Sequence, residues 1–416
     1  MESYQHSVLL DESKCKGCTT CLHHCPTEAI RIKDGHAVIN ADRCIDCGEC
    51  IRRCPHNAKR SVMSNLSTMR DPKYKYKIAL PAPTLYGQFE NLDDIDFVLN
   101  GLIKIGFDEV FEVAKAAEIV TAHTRQYIKT EGIPMPIISS ACPVVVRLIG
   151  LLYPSLSEHI MHLLPPVEVA AKLARKKALE EHPELTSEDI GIFFISPCPA
   201  KASYVHNYKE FYDLNVDEIL SISDIYFELI NAMKRDDTLQ PLLDSGMIGI
   251  GWASSGGESA AILNDDYLAA DGIENVIHVL NQIEDGNISQ VKFIELNACP
   301  GGCVGGVLTV QNPFIARARL QSLKRYLPVS MYNSVQEDYI PDELFFDVLP
   351  DYVPVGKLGN SMAESMRMMA KIQKLREGLP GIDCGACGAP SCRANAEDAV
   401  KAGLSCADCP LQKRAE

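Results

Sequence analysis

Glu295-Leu296-Asn297-Ala298-Cys299-Pro300-Gly301-Gly302-Cys303-Val304-Gly305-Gly306 sets two thiols on a turn rich in glycine and proline. Thiolates are soft donors that favour iron–sulfur clusters or zinc, and glycine lets backbone approach a metal centre where a Cβ would clash. Two more cysteines stand singly upstream, Cys142 in Ser139-Ser140-Ala141-Cys142-Pro143 and Cys198 in Ser196-Pro197-Cys198-Pro199-Ala200-Lys201. Together they supply four thiols, the ligand count of one cubane.

Around these motifs, from about residue 76 to 328, apolar strand-like runs alternate with helical ones. The pattern predicts strands at Ile78–Leu80, Ile137–Ser139, Ile190–Ile195, Met247–Gly251 and Val291–Leu296. It predicts helices at Ile95–Ile105, Val113–Glu131, Glu168–Leu179 and Ser223–Lys234, with Ile149 to Leu164 read as core and loop. Such alternation makes an α/β class (α+β over the whole chain), with parallel-rich sheets flanked by helices. Three strand ends run straight into cysteine motifs, which is where α/β sheets place their chemistry.

Upstream, Cys15-Lys-Gly-Cys18-Thr-Thr-Cys21-Leu-His-His-Cys25-Pro26 repeats as Cys44-Ile-Asp-Cys47-Gly-Glu-Cys50-Ile-Arg-Arg-Cys54-Pro55. Both copies follow the bacterial ferredoxin spacing, in which the fourth cysteine ligates the other cluster. Cys15, Cys18, Cys21 and Cys54 are therefore expected on one 4Fe-4S cluster, and Cys44, Cys47, Cys50 and Cys25 on a second. Short apolar pieces at Ala29–Ile32 and Ala37–Ile39, joined through Asp34-Gly35, suit the strands of such a domain. His23, His24 and His56 read as surface residues.

Downstream, Ser361–Leu375 has helical periodicity with Met362, Met366, Met369 and Ile372 on one face, read as packing. Then come Cys384, Cys387, Cys392 and Cys409 in a C-x2-C-x4-C-x16-C spacing, with Cys406 left spare. That spacing resembles a small 4Fe-4S module of corrinoid and Rnf-type electron-transfer proteins, so these four are expected to hold a third accessory cluster. The organisation expected is a two-cluster ferredoxin-like domain at 1–62, a cluster-bearing α/β domain at 76–328, a linker with an amphipathic helix at 329–378, and a C-terminal 4Fe-4S module at 379–416.

The 416 residues carry a net charge of −15 and form no basic stripe, which argues against a nucleic-acid partner. No apolar run is long enough for a membrane span and the start of the chain lacks a basic and apolar leader, so the expectation is a cytoplasmic protein. The 17 cysteines fall into metal-type spacings, and disulfides are not expected.

At Ser139–Pro143, Ser196–Lys201 and Asn297–Cys303 the chain resembles the FeFe-hydrogenase family. That family carries motifs close to TSCCP, MPCxxK and Met-Ala-Cys-x-x-x-Cys in this order. The resemblance extends to Ala82-Pro83-Thr84 and to the Ser255-Gly256-Gly257 turn after Trp252. It implies an H-cluster: a 4Fe-4S cubane joined to a diiron unit bearing CO, cyanide and a dithiolate. By the same resemblance Cys142, Cys198, Cys299 and Cys303 hold the cubane, with Cys303 as the bridge. Lys201 would bond one cyanide, and Pro83 and Thr84 would cradle the other. Implied partners are H2 and protons, a redox or signalling protein, and the maturation factors that install the diiron unit, without which that unit is absent.

Departures from the family pattern shape the expected activity. Ala141 stands where the family has a proton-passing cysteine, Tyr204 where a carboxylate follows the lysine, and Ser196 and Asn297 where methionines pack. A methyl group cannot relay a proton, so Glu258 and Glu295 are the candidates for another route. The pattern resembles the sensory branch of the family, which implies a slow hydrogenase reversibly oxidising H2 and passing electrons through accessory clusters. The alternative is a non-catalytic hydrogenase-like 4Fe-4S protein of cluster assembly or electron transfer. Lys201 and the Ala82-Pro83-Thr84 cradle weigh against it.

Overall fold

The computed structural model describes residues 5–212, 214–233, 239–263, 265–288, 290–332, 340–346, 358–404 and 407–411. It divides into two compact units, residues 1–61 with 352–416, and residues 62–351.

In the first unit β1 (Val8–Leu10), β2 (Ile30–Lys33), β3 (His36–Ile39) and β4 (Lys59–Ser61) form two antiparallel pairs, β1 with β4 and β2 with β3. Asp34 and Gly35 close the second pair with φ of 49° and 78°, the left-handed dihedrals a two-residue hairpin turn requires. The doubled sequence gives doubled structure. Helical turns Thr20–His23 and Glu49–Arg52 each follow a left-handed residue, Thr19 and Gly48, and each carries the third cysteine of its motif.

Later in this unit, helix Met362–Glu377 packs on helix Cys392–Lys401 through Ile372, Ala396 and Val400. Ser361 and Ser391 cap them by accepting the N–H groups of Glu364 and Ala394. The methionine face is not packing: Met362, Met366 and Met369 are exposed, and Ile372 is the residue of that face that is buried.

The second unit holds two all-parallel sheets. In the larger, β5 (Tyr76–Pro81), β6 (Glu109–Val110), β8 (Ile190–Ser196) and β9 (Glu218–Ser221) lie in the order β6-β5-β8-β9. In the smaller, β7 (Ile137–Ile138), β10 (Tyr267–Asp271) and β11 (Phe293–Asn297) lie in the order β10-β11-β7. Every residue of β8 is buried, as a central strand covered on both faces should be. Side chains alternate between two cores. Ile78, Leu80, Ile192 and Phe194 face helices Val113–Tyr127 and Pro166–Glu181, whereas Ala79, Phe193 and Ile195 face Asp96–Lys104 and Ile222–Met233.

Sequence and structure part at identifiable places. Met247–Gly251 is a helix and not a strand. Its apolar–glycine alternation mimics a period of two, but a Cβ on Gly249 would stand 2.1 Å from the Ala114 carbonyl oxygen, so glycine there serves close packing between helices. Helix Pro143–Leu152 begins directly at the cysteine motif and was not foreseen. Strands β6, β9 and β10 are short and went unread. Lys234 and Cys406 lie outside the described residues.

Candidate metal centre

Four loops leave the carboxyl ends of parallel strands and meet. Ala82-Pro83-Thr84 follows β5, Ser139 to Cys142 follows β7, Pro197-Cys198 follows β8, and Ala298-Cys299 follows β11. They enclose a cavity of about 110 Å³ lined by Cys142, Cys198, Cys299, Cys303, Lys201, Pro83, Thr84, Ala141, Trp252 and Asn297 among others. The cysteine motifs, the lysine and the proline–threonine turn thus share one space. Gly302, at φ 90°, makes the last turn possible: a Cβ there would lie 2.4 Å from the Ser255 nitrogen.

The cavity's electrostatics suit bound metal and disfavour free thiolates. Burial pushes the Cys198 and Cys303 thiols up to about 12, and the neighbouring thiols Cys142 (for both) and Cys198 (for Cys303) add to this; the Lys201 charge opposes it. Cys303 owes its exposure to the cavity, because the protein encloses its sulfur. Multivalent iron repays that cost, since coordinated thiols are deprotonated outright. Among the described residues no three His, Cys, Asp or Glu side chains gather tightly enough for a single metal ion; the four thiols instead line a cavity.

Two polar groups in the wall suit an anionic ligand. The Thr84 hydroxyl is buried without a hydrogen-bond partner, a state that costs about 1–3 kcal/mol unless something fills it. Lys201 Nζ donates to the Ala141 carbonyl at 3.2 Å, which leaves further N–H donors on the ammonium. Cluster and anionic diatomic ligands therefore fit the residues present.

Beside the cavity lies a buried pair of carboxyls. Glu295 accepts the N–H groups of Gly256 (2.9 Å) and Ser259 (2.8 Å) and the amide of Asn297 (2.8 Å). Glu295, from strand β11, thus accepts backbone N–H groups at the start of helix Gly257–Ala261, whose own first-turn acid is Glu258. Glu258 has one donor, the Ser139 hydroxyl at 2.7 Å, and that hydroxyl also accepts the Ala141 N–H at 3.2 Å. Burial raises the affinity of both acids for protons, and Glu295 raises that of Glu258 further. Glu295, with three N–H donors against one hydroxyl for Glu258, is the better stabilised as a carboxylate, and the proton affinity of Glu258 is the more strongly raised.

The substituted positions have their own roles. Ser196 Oγ accepts the Cys198 N–H at 3.1 Å and so shapes the cysteine turn. Trp252 lines the cavity and donates from its indole to Thr121 at 2.9 Å. Tyr204 is buried near the lysine, whose Nζ stands 5.8 Å from its ring centre.

One residue escaped sequence reasoning. Glu168 sits in the first turn of helix Pro166–Glu181, directly after the cavity-lining Pro166 and Val167, and its Oε1 is buried without a partner. Burial lifts it to about 7 against the pull of Lys201. Its only sequence signal is an acid inside the apolar run Pro165-Pro166-Val167-Glu168-Val169-Ala170.

In the first unit the thiols gather in crossed sets. Cys25 is among the charges acting on Cys44, Cys47 and Cys50, whereas Cys15, Cys18 and Cys54 act on Cys21. Farther along, Cys384 and Cys409 act on Cys387, and Cys392 N donates to Asp383 at 2.6 Å. His23 and His24 are exposed or nearly so, and His56 is exposed.

The site and fold define an iron–sulfur protein built round a cysteine-lined cavity at the ends of parallel strands. The family described as iron only hydrogenase large subunit, C-terminal domain, matches residues 75–307, more than half of the chain. The chain belongs to that family, the FeFe-hydrogenases. A 4Fe-4S dicluster domain matches residues 7–55, and an Fe-S cluster family matches 379–411. The periplasmic Fe hydrogenase large subunit of Nitratidesulfovibrio vulgaris is 26% identical over 366 residues, covering 72% of this chain and 86% of that protein. Among solved structures, a variant of FeFe-hydrogenase HydA1 from Chlamydomonas reinhardtii is 16% identical with a TM-score of 0.48, covering 63% of this chain and 88% of that one. An FeFe-hydrogenase solved during H-cluster assembly is 18% identical with a TM-score of 0.47, covering 64% and 89%.

Proposed function

We propose that this chain is a slow, sensory-type FeFe-hydrogenase, with the H-cluster in the four-cysteine cavity. The observation that carries the reading is the joint placement of Lys201, the partnerless Thr84 hydroxyl and the four thiols in one enclosed space. A pocket for a plain cubane has no use for an ammonium and a spare hydroxyl beside the cysteines, which weighs against a cluster-assembly or carrier role.

When bound, the diiron unit supplies an open metal position where H2 is split or formed. The chain's residues do the rest. Cys142, Cys198, Cys299 and Cys303 would hold the cubane, with Cys303 as the residue toward the diiron unit. Lys201 and Thr84 would offer N–H and O–H donors to anionic ligands, and the backbone at Pro83 would shape the same cradle. Trp252 and the apolar wall exclude water, which strengthens those bonds.

Proton supply sets the pace. Ala141 offers no titratable atom, so the proton store linked to its peptide is Glu258, reached through the Ser139 hydroxyl. Ser139 passes a proton by donating one and accepting another, while the Glu295 carboxylate, by raising the proton affinity of Glu258, opposes release of that proton. Such a route ends at a hydroxyl beside Ala141 and lacks a final acidic group, which makes turnover low.

Three accessory 4Fe-4S clusters would supply one-electron transfer, held by Cys15, Cys18, Cys21 and Cys54; by Cys44, Cys47, Cys50 and Cys25; and by Cys384, Cys387, Cys392 and Cys409. A redox or signalling protein would exchange the electrons, and maturation factors would deliver the diiron unit. No helix among the described residues is long and apolar enough to cross a membrane, and thiol-borne clusters suit the reducing cytoplasm; cell fractionation tests that placement. Iron and sulfide analysis with H2–deuterium exchange on matured protein tests the function. Exchange at a low rate is expected, and its absence from protein carrying the diiron unit contradicts it.

A further inference from the structure

The C-terminal cysteine loop lies against the N-terminal one inside the first unit. The Ile32 N–H donates to the Gly388 carbonyl at 2.8 Å. Gly388, at φ 83°, directly follows Cys387, and a Cβ on it would stand 2.3 Å from the Ile32 carbonyl oxygen, a backbone atom with nowhere to go. Gly385, between Cys384 and Cys387, also comes close to the N-terminal loop: a Cβ there would meet His23 Nε2 at 2.9 Å and Leu22 at 3.4 Å. Leu22 and His23 directly follow Cys21. Ile32 in turn packs on the apolar group of Cys21, Leu22, Ile30 and Ala37, which Cys15, Cys25 and Cys50 also join; it is the contact of Gly385 with Leu22 and His23 that singles out the Cys21 side.

Two ion pairs fasten the approach. Arg31 grips Asp398 with two N–H groups, at 2.5 and 3.2 Å, and Arg43 reaches Glu397 at 2.9 Å. Both acids belong to helix Cys392–Lys401, which starts at a cysteine of the C-terminal set. Arg31 and both members of the Arg43 pair are largely shielded from water, so these contacts hold better than surface pairs.

We propose that the loop Cys384–Gly388 is docked in cis on the Cys18–His23 loop, which makes the cluster of Cys384, Cys387, Cys392 and Cys409 the direct electron-exchange neighbour of the cluster of Cys15, Cys18, Cys21 and Cys54. This rests on the three-accessory-cluster reading above. The step is a single electron transfer: one cluster is oxidised by one unit, its neighbour is reduced by one, and no bond or proton moves. The external party is a one-electron redox protein. Gly388 is the residue that brings the two sites together, because any side chain there would meet the Ile32 backbone, whereas Gly385 faces the movable end of His23.

The test is electron paramagnetic resonance on full-length, cluster-loaded protein, fully reduced, with iron and sulfide counted on each sample. Beyond the splitting that the two N-terminal clusters give each other, wild type is expected to show a further spin–spin interaction that disappears in the double variant Cys387→Ser, Cys392→Ser, whose spectrum is the reference for the N-terminal pair alone. Gly388→Val is expected to lose the further interaction while keeping its iron. Because that variant can also disturb its own loop, a second set reverses charge: Arg31→Asp with Arg43→Glu loses the further interaction, and adding Asp398→Arg with Glu397→Arg restores it. A wild-type spectrum with no interaction beyond that of the N-terminal pair, or a further interaction that survives in iron-replete Gly388→Val, overturns the neighbour relation. Wild-type protein with no iron at the C-terminal cysteines overturns the cofactor reading beneath it, and the iron count tells the two failures apart.

Discussion

The carboxyl of Glu258 lies 2.7 Å from the hydroxyl of Ser139, two residues before Ala141. The same hydroxyl accepts the Ala141 N–H at 3.2 Å. A buried acid is thus linked by one hydroxyl to the peptide where the family's relay thiol is missing. The acid is present but its last carrier is absent.

Ala141→Cys restores a thiol at that position without touching the cubane ligands. H2 evolution by matured protein should rise by about 10²-fold, the low end of what a positioned proton carrier contributes. An unchanged rate would mean that proton delivery does not limit this chain.

Glu258→Gln keeps the hydrogen bond to Ser139 and removes the titrating proton. In the wild type, burial and Glu295 hold the Glu258 proton in the folded state after the unfolded chain has released it, near the ordinary value of 4.5. Folded-state proton excess means that stability falls as pH rises from there through the folded pKa. The variant should flatten that decline in urea unfolding followed from about pH 4.5 upward, and it should also slow H2 exchange. A variant as pH-sensitive as wild type would remove Glu258 from the account.

Thr84→Val replaces a buried hydroxyl that has no partner with an isostere that needs none. Protein without the diiron unit should gain about 1 kcal/mol. The matured protein should show one cyanide stretch shifted, because it has lost a donor. Destabilisation with no cyanide shift would mean that Thr84 serves packing alone.

The two central strands of the larger sheet and several of its helices were readable because β8 is a continuous apolar run and helices such as Val113–Tyr127 show a strong period. The cysteines were readable because spacing is a property of sequence. What escaped depends on contacts between distant segments. Gly249 makes Met247–Gly251 look extended, yet its meaning lies in Ala114, more than a hundred residues away. Glu168 gains its interest from Lys201, and Glu295 proved to be the helix-capping acid once Gly256 and Ser259 folded over it. No local pattern marks such pairs. The Met362–Met369 face misled in the other direction, since periodicity reports a face and not what covers it.

Cys25→Ser provides a separate check on the crossed ferredoxin sets. The cluster of Cys44, Cys47 and Cys50 should be lost or become labile while that of Cys15, Cys18, Cys21 and Cys54 survives, as read by iron content and reductive titration. Loss of the first cluster in its place would mean that each motif binds its own.

The most direct test of the central claim is infrared spectroscopy of protein matured anaerobically with a synthetic diiron precursor, with and without H2. The account predicts CO and cyanide bands that shift under H2 and a cyanide band displaced by Lys201→Met. A protein with full cubane iron and sulfide but no such bands would contradict it and leave a cluster carrier on a hydrogenase frame.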